Sequence, residues 1–195
     1  MAANSIAKAG RILTKIAVGS AILAGLCAVT MAYAKTEPLP TVSKIELDRY
    51  LGTWYEVARK PLSFQNKCDR NVSAQYTLNE NGNVQVDNRC YGKEGQLYQS
   101  IGEAFVQNAP YNSKLKVSFL PEMVRWLPVG RGDYWILKID ENYQTVLVGE
   151  PDRKYMWILS RDPQPKQAVI QEYLDYAQSV GYNLDDVIHT KQTEK

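Results

Sequence analysis

The residues that could carry chemistry are few in this chain, and their spacing argues against catalysis. The 195-residue sequence contains one histidine, His189, near the carboxyl terminus, where a lone histidine is usually a surface residue. No second histidine, paired-carboxylate motif or set of metal ligands at usable spacing accompanies it. Cys68 could act as a nucleophile only if it were unpaired. We therefore expect no enzyme activity, no metal site and no cofactor.

The first 34 residues are typical of an export signal. Basic residues open the chain, an apolar run covers 16–31, and Ala32-Tyr33-Ala34 is a small-x-small cleavage signal. We expect cleavage after Ala34 and delivery to the bacterial cell envelope, either to the periplasm or to the outer membrane.

Two other interpretations of this segment stay open. The apolar run could be an uncleaved anchor, although it is shorter than the ~20 residues that a membrane span requires. Cys27 could instead carry a lipid anchor. The residue before a lipidated cysteine is normally small, and Leu26 makes this lipobox defective.

The mature chain keeps Cys68 and Cys90, an even number of cysteines in an oxidising compartment, which favours a disulfide. A hairpin centred on Asn81-Gly82 does not place the two directly opposite each other. A bent segment before Val72 must therefore bring them together. In the chain-entropy model the bridge would contribute about 3 kcal/mol.

Composition limits the function further. The net charge of +2 comes without a basic stripe, so we expect no nucleic-acid partner. Tyrosine and tryptophan, at 13 and 4 residues, outnumber the 3 phenylalanines. Both side chains combine an apolar body with a polar tip, which suits pocket walls and wet boundaries.

Beyond residue 53 the hydrophobic pattern is that of β-strands joined by short turns. The predicted strands cover 54–59, 72–78, 84–87, 97–107, 114–119, 132–139, 145–149 and 155–160. One helix follows, with Pro165 in its first turn, Gly181 at its carboxyl end, and an apolar face made of Ile170, Tyr173, Leu174 and Ala177. This pattern predicts an all-β protein: an eight-stranded antiparallel up-and-down β-barrel with one C-terminal α-helix packed outside.

The expected organisation is a signal peptide over 1–34, an extended tether over 35–44, one barrel domain with its helix over 45–190, and a tail over 191–195. The tether contains Pro38 and Pro40, which favour extended backbone.

Gly52-Thr53-Trp54, the eight strands, Arg161 and the final helix together resemble the lipocalin family, closest to the branch of the bacterial outer-membrane lipocalin and apolipoprotein D. The specific stretches are 51–59, 115–119 and 155–161, and the similarity covers 45–190. The family's turn between strands six and seven usually reads Thr-Asp-Tyr, whereas this chain has Asp140-Glu141-Asn142-Tyr143. The resemblance implies that Gly52, Trp54 and Arg161 are structural, with Trp54 and Arg161 stacked at the closed end of the barrel.

Strand parity predicts which side chains face the interior. Lys114 and Lys116 must face water, so the residues that alternate with them point inward. The residues we expect to contact a ligand are Tyr76, Val86, Asn88, Tyr98, Leu115, Val117, Phe119, Tyr134, Ile136 and Trp157. Trp135 and Leu137 have nearly equal claim to the inward positions on their strand, which could be buried on both faces.

An apolar wall with a few hydroxyl and amide groups suits a fatty acid or a lysophospholipid, which would serve membrane maintenance as the bacterial branch implies. Three alternatives stay open. The interior could be a solid core without a cavity. The ligand could be a tetrapyrrole or a carotenoid, or the chain could be an isomerase or epoxidase, as a few lipocalins are.

The loop over 120–129 is unusually apolar, and the barrel topology places it at the open mouth. Met123, Val124, Trp126 and Leu127 are expected to contact a membrane surface or a second copy of the chain, because exposed apolar patches usually mark interaction. The alternative is a lid folded back on the barrel.

Overall fold

The computed structural model describes residues 37–193, so the export signal and Cys27 lie outside the described residues. Two short helical turns, Ser63–Gln65 and Glu122–Val124, lie in loops. The helices and strands are α1 (Leu47–Tyr50), β1 (Gly52–Arg59), β2 (Arg70–Leu78), β3 (Val84–Tyr91), β4 (Leu97–Val106), β5 (Lys114–Ser118), β6 (Arg131–Ile139), β7 (Thr145–Gly149), β8 (Met156–Ser160), α2 (Gln167–Ser179) and β9 (Ile188–His189).

Strands β1 to β8 form a closed antiparallel barrel. Each strand from β2 to β8 pairs with the next one along the chain, and β1 closes the ring by pairing with both β8 and β2. Full closure leaves no exposed edge between these strands. The predicted eight-stranded barrel with an outer C-terminal helix is therefore confirmed, and the short strand β9, which pairs with β1, was not predicted.

Apolar residues are buried in two layers. One cluster fills part of the barrel interior and includes Trp54, Tyr76 and Ile136. The other lies between the barrel wall and α2 and includes Leu137 and Ile158. Because β6 contributes to both clusters, its two faces are buried on different sides of the sheet.

Helix α2 covers the outside of the barrel with the face that the sequence predicts: Ile170, Tyr173, Leu174 and Ala177 are all buried. The helix begins at Gln167, so Pro165 lies before the first turn, and its expected place inside that turn is wrong. Gly181 follows the helix with a φ of +95°, a left-handed conformation that favours glycine at this position.

The extended segment before α1 is packed against the barrel over its described part. Leu39 is buried in the outer cluster, and the Val42 amide donates a hydrogen bond to the Ile136 carbonyl. At the other end of the chain, residues 188–193 insert beside β1. The Gln192 side-chain amide donates to the carbonyls of both Glu56 and Val72. This terminal segment therefore bridges β1 and β2 where their direct pairing ends.

Cys68 and Cys90 form the predicted disulfide, with their Cα atoms 5.5 Å apart. The pairing of β2 with β3 shifts between Arg70 and Ser73. Asn71, inside that shift, has a φ of +54°. This irregularity is the bend that the spacing of the two cysteines requires.

Candidate ligand-binding site

The barrel encloses a cavity of about 690 Å³ that opens at one end. This volume lies in the range of sites that hold small molecules. The loops between β1 and β2, β5 and β6, and β7 and β8 contribute residues to its lining, including Phe64, Leu120 and Glu150. These loops surround the mouth, and the opposite end of the barrel is closed.

Every residue that strand alternation predicts to contact the ligand lines the cavity. Its lining includes Tyr76, Val86, Asn88, Tyr98, Leu115, Val117, Phe119, Tyr134, Ile136 and Trp157. The structure thus brings the ten residues together around one space, while their contact with a ligand stays a prediction. Trp135 and Leu137 instead pack in the outer cluster against α2.

Small residues create room in the wall. Val117 pairs with Ala104 on one side and with Gly132 on the other. A Cβ atom on Gly102 would lie 2.7 Å from the Phe119 ring, so glycine lets that ring approach the strand closely. The interior is consequently hollow beside β5 and β6.

Arg161 closes the far end of the barrel. Its guanidinium carbon lies 3.8 Å from the centre of a Trp54 ring, as the resemblance implies. The same guanidinium donates hydrogen bonds to the carbonyls of Thr53 at 2.6 Å and Leu51 at 2.7 Å. It also reaches the carbonyls of Arg49, Tyr50 and Tyr143. Arg161 therefore ties α1, β1 and the turn after β6 to one another.

The rearranged turn between β6 and β7 also supports this end. The Asp140 carboxylate accepts hydrogen bonds from the backbone amides of Asn142, Gln144 and Thr145. The Tyr143 hydroxyl accepts a hydrogen bond from the Glu46 amide. The turn thus contacts the chain just before α1 despite its altered order of residues.

Three tyrosine hydroxyls meet above the closed end. The Tyr134 hydroxyl oxygen lies 2.8 Å from that of Tyr50 and 3.0 Å from that of Tyr76. Burial raises the pKa of all three phenols, that of Tyr76 to about 12. The three groups therefore stay protonated at neutral pH and provide a polar spot in a largely apolar cavity.

A buried carboxylate, that of Glu56 on β1, also lines the cavity. Glu56 accepts hydrogen bonds from Thr190 and Gln65 and forms an ion pair with Arg59, whose Nε lies 3.1 Å away. Burial raises the pKa of Glu56, and these three donors oppose the shift. Glu56 therefore joins β1 to the first mouth loop and to the terminal segment.

Glu150 introduces a titratable group at the mouth. Burial, followed by the charges of Asp152 and Asp133, raises its pKa to about 7. Lys67 and Arg89 also contact the cavity. The mouth thus presents charge of both signs, and the charge on Glu150 changes near neutral pH.

The apolar loop over 120–129 projects outward. Met123 is 88% exposed and Trp126 is 70% exposed, whereas Leu127 is half-buried. Arg125 holds the loop backbone by donating to the carbonyls of Leu120 and Ile101. The cavity lining does not include Met123, Val124, Trp126 or Leu127, so these side chains do not cover the cavity as the alternative lid would.

Sequence reasoning missed several residues of the site. Tyr50 comes from a four-residue helix, Phe64 lies in the loop between β1 and β2, and Glu56 lies on β1. Parity applies to residues within regular strands, so it gave no signal for Tyr50 or Phe64. Glu56 has the parity of Trp54, which does face the interior, and this signal could have identified it.

The remaining polar candidates do not converge. His189 is exposed on β9, as expected of a lone terminal histidine. Within residues 37–193 no cluster of three or more histidine, cysteine, aspartate or glutamate side chains is arranged to hold a metal ion. Over the same residues, no helix combines the length and the apolar character that a membrane span requires. The disulfide removes Cys68 as a nucleophile, because its thiol is not free.

Comparison with known proteins agrees with this architecture. A family model described as a lipocalin-like domain matches residues 45–192. Temperature-induced lipocalin-1 of Arabidopsis thaliana is 36% identical over 159 residues, which cover 80% of this chain and 84% of that protein. The outer membrane lipoprotein Blc of Escherichia coli K12 is 34% identical over 177 residues, covering 88% of this chain and 96% of that protein.

A solved structure shows the same fold at low sequence identity. Insecticyanin from the tobacco hornworm Manduca sexta superposes with a TM-score of 0.63 at 19% identity, covering 80% of this chain and 85% of the other. The family model and the relatives above 30% identity together cover nearly the whole described chain. This protein belongs to the lipocalin family.

Proposed function

We propose that the barrel binds a fatty acid or a lysophospholipid and stores or transports it for maintenance of the cell-envelope membrane. The observation that carries this proposal is the open-ended cavity of about 690 Å³, whose lining is mostly apolar. The acyl chain would lie inside, with its polar head toward the charged residues of the mouth. Membership of the lipocalin family supports binding of a small hydrophobic ligand.

The expected affinity follows from burial. Each buried methylene contributes about 0.8 kcal/mol, so a long acyl chain contributes roughly a dozen kcal/mol before association costs. Those costs are about 4–15 kcal/mol, which leaves an affinity in the micromolar range or tighter. The binding free energy would therefore come from the chain, and the mouth would select the head group.

The envelope is the location that we propose for this binding. The relative from Escherichia coli is named an outer membrane lipoprotein. The export signal predicted over residues 1–34 supports the same destination. Mass analysis of the mature protein from its own cells would test the location, because cleavage after Ala34 and lipidation of Cys27 give different masses.

Titration of delipidated protein with a fluorescent fatty acid tests the binding proposal. We expect saturable binding at micromolar concentration or below, and competition by unlabelled fatty acid and lysophospholipid. A parallel absorbance screen with a tetrapyrrole and a carotenoid tests the alternative ligands, since both are coloured. Binding of a pigment without binding of either lipid would reject the lipid assignment.

A tryptophan placed in the cavity provides a matched test of where the ligand binds. Val117→Trp should weaken fatty-acid binding by about tenfold or more, because the indole occupies space beside Ala104 and Gly132. Gln85→Trp is the control, since Gln85 is exposed on the outer face of β3. Equal binding by the two variants would contradict a site inside the barrel.

We also propose that the apolar loop over 120–129 docks on a membrane surface during lipid transfer. Met123, Val124 and Trp126 are exposed beside the mouth, and Phe64 of the first mouth loop is 72% exposed. Replacing Trp126 and Leu127 together with serine should reduce sedimentation with lipid vesicles. Reduced self-association without any change in vesicle binding would indicate a second copy as the partner, and no change in either assay would reject docking.

A further inference from the structure

The three tyrosines near the closed end come from separate elements. Tyr50 ends α1, Tyr76 lies on β2 and Tyr134 lies on β6, and all three contact the cavity. The rings of Tyr50 and Tyr76 stack with their centres 5.7 Å apart. The ring of Tyr134 meets that of Tyr76 edge-on at 6.3 Å. Ring packing therefore fixes where the hydroxyls lie, independently of the hydrogen bonds between them.

A count of protons shows that these hydroxyls do not satisfy one another. Each phenol carries one proton, and the two contacts made by Tyr134 use two of the three. Whichever oxygen donates in each contact, one proton is left over. Among residues 37–193, the three hydroxyls make no hydrogen bond other than these two. One donor is thus available to a molecule in the cavity.

The surroundings make this donor selective. The nearby wall is apolar and is formed by Val84, Val86, Leu115, Ile136 and Leu159. An apolar site discriminates weakly between chains, whereas a site with a buried hydrogen-bonding group discriminates strongly by whether the ligand can pair with it. Because the hydroxyls lie far from the mouth, they would meet the inner end of a ligand.

We propose that Tyr50, Tyr76 and Tyr134 form a subsite for an acceptor oxygen carried on the inner end of the bound acyl chain. The inference rests on the proposed function, since it takes the ligand to be an acyl chain with its carboxyl or head group at the mouth. The chemical class is therefore a fatty acyl ligand oxygenated at or near its terminal carbon. A hydroxyl or a keto oxygen in that position accepts the remaining tyrosine proton.

Calorimetric titration of delipidated wild-type protein with matched ligands tests the subsite. Lauric, myristic and palmitic acids are each compared with their ω-hydroxy analogues. The triple variant Y50F/Y76F/Y134F keeps every ring and removes all three hydroxyls. The control is Tyr173→Phe, whose hydroxyl bonds to the Thr145 carbonyl outside the cavity.

For the chain length that reaches the tyrosines, the affinity ratio of ω-hydroxy acid to plain acid should be about tenfold higher in wild type than in the triple variant. The Tyr173→Phe protein should keep the wild-type ratio. Ratios that agree within about twofold between wild type and the triple variant would overturn the subsite, since a lost hydrogen bond changes affinity by more than that. So would a triple variant that loses affinity for the plain acid alone, which would mean that the carboxyl group binds at the inner end.

Infrared spectroscopy provides a second readout that needs no variant. The carbonyl band of a fatty acid with an isotopically labelled keto group next to its terminal carbon should lie at lower frequency when bound than in an alkane solvent. An unshifted band would overturn the subsite. Failure of wild-type protein to bind any of the acids would instead reject the proposed function, so the two failures are distinguishable.

Discussion

Replacing Arg161 with alanine should destabilise the barrel more than any change to a surface charge. Arg161 donates to five backbone carbonyls and lies against Trp54. These carbonyls lie at the end of α1, at the start of β1 and in the turn before β7. Alanine removes all of these contacts at once and leaves the closed end without its central donor.

The expected loss of unfolding free energy follows from the backbone carbonyls that accept hydrogen bonds from Arg161. The Tyr50 carbonyl also accepts from the Trp54 indole at 2.8 Å, so it keeps a partner. The Leu51 carbonyl is partly buried, and losing a charged donor there costs about 2 kcal/mol. The Thr53 carbonyl is exposed and can accept a hydrogen bond from water instead, so losing the Arg161 donor there costs about 1 kcal/mol. Loss of the cation–π contact contributes a further 1 kcal/mol or so. The free energy of unfolding should therefore fall by about 4 kcal/mol.

Urea denaturation followed by tryptophan fluorescence measures this change, with the disulfide intact in every protein. Arg161→Lys keeps the charge over Trp54 but cannot reach several carbonyls, so it should lose about half as much. Arg89→Ala is the control at an exposed charge of the mouth: its side chain is 52% exposed and pairs with Asp87, so it should lose far less stability than Arg161→Ala. A loss for Arg161→Ala no larger than that of the control would refute the structural role of the guanidinium.

Three further predictions concern other parts of the barrel. Folding raises the pKa of Glu150 from 4.5 to about 7, so its contribution to stability is greatest below its unfolded pKa and is lost as pH rises through about 7. The urea midpoint of the wild type should therefore fall between about pH 5 and about pH 8, and Glu150→Gln should make that fall smaller. A fall of the same size in the variant would contradict the raised pKa. Replacing Cys68 and Cys90 with serine opens a 22-residue loop and should lower the free energy of unfolding by about 3 kcal/mol, which denaturation with and without reductant can check in the wild type. Removing residues 188–195 deletes the bonds that Thr190 and Gln192 make to Glu56 and should cost about 2 kcal/mol, with faster amide exchange in β1; unaltered exchange there would contradict the bridging role of this segment.

The barrel could be predicted because its pattern is local. The alternation of Lys114, Leu115, Lys116 and Val117 fixes which face of β5 is inside, since successive side chains point to opposite sides of a strand. The same rule was ambiguous on β6, where both faces are buried. There the helix outside the barrel decides the arrangement, and Leu137 packs against that helix.

The parts that sequence did not predict depend on contacts between distant segments. Strand β9 is two residues long, and its pairing with β1 gives no periodic signal. The tyrosine cluster joins residues up to 84 positions apart, so their meeting follows from barrel closure and from the direction in which α1 enters it. The bend before Val72 could be predicted only because the spacing of the two cysteines requires it.

Delipidated protein titrated with a fluorescent fatty acid is the most direct test that the barrel interior is a working ligand site. We expect saturable binding in the wild type and in Gln85→Trp, and a loss of affinity of about tenfold or more in Val117→Trp. Absence of saturable uptake by folded wild-type protein, or equal uptake by the two tryptophan variants, would contradict it.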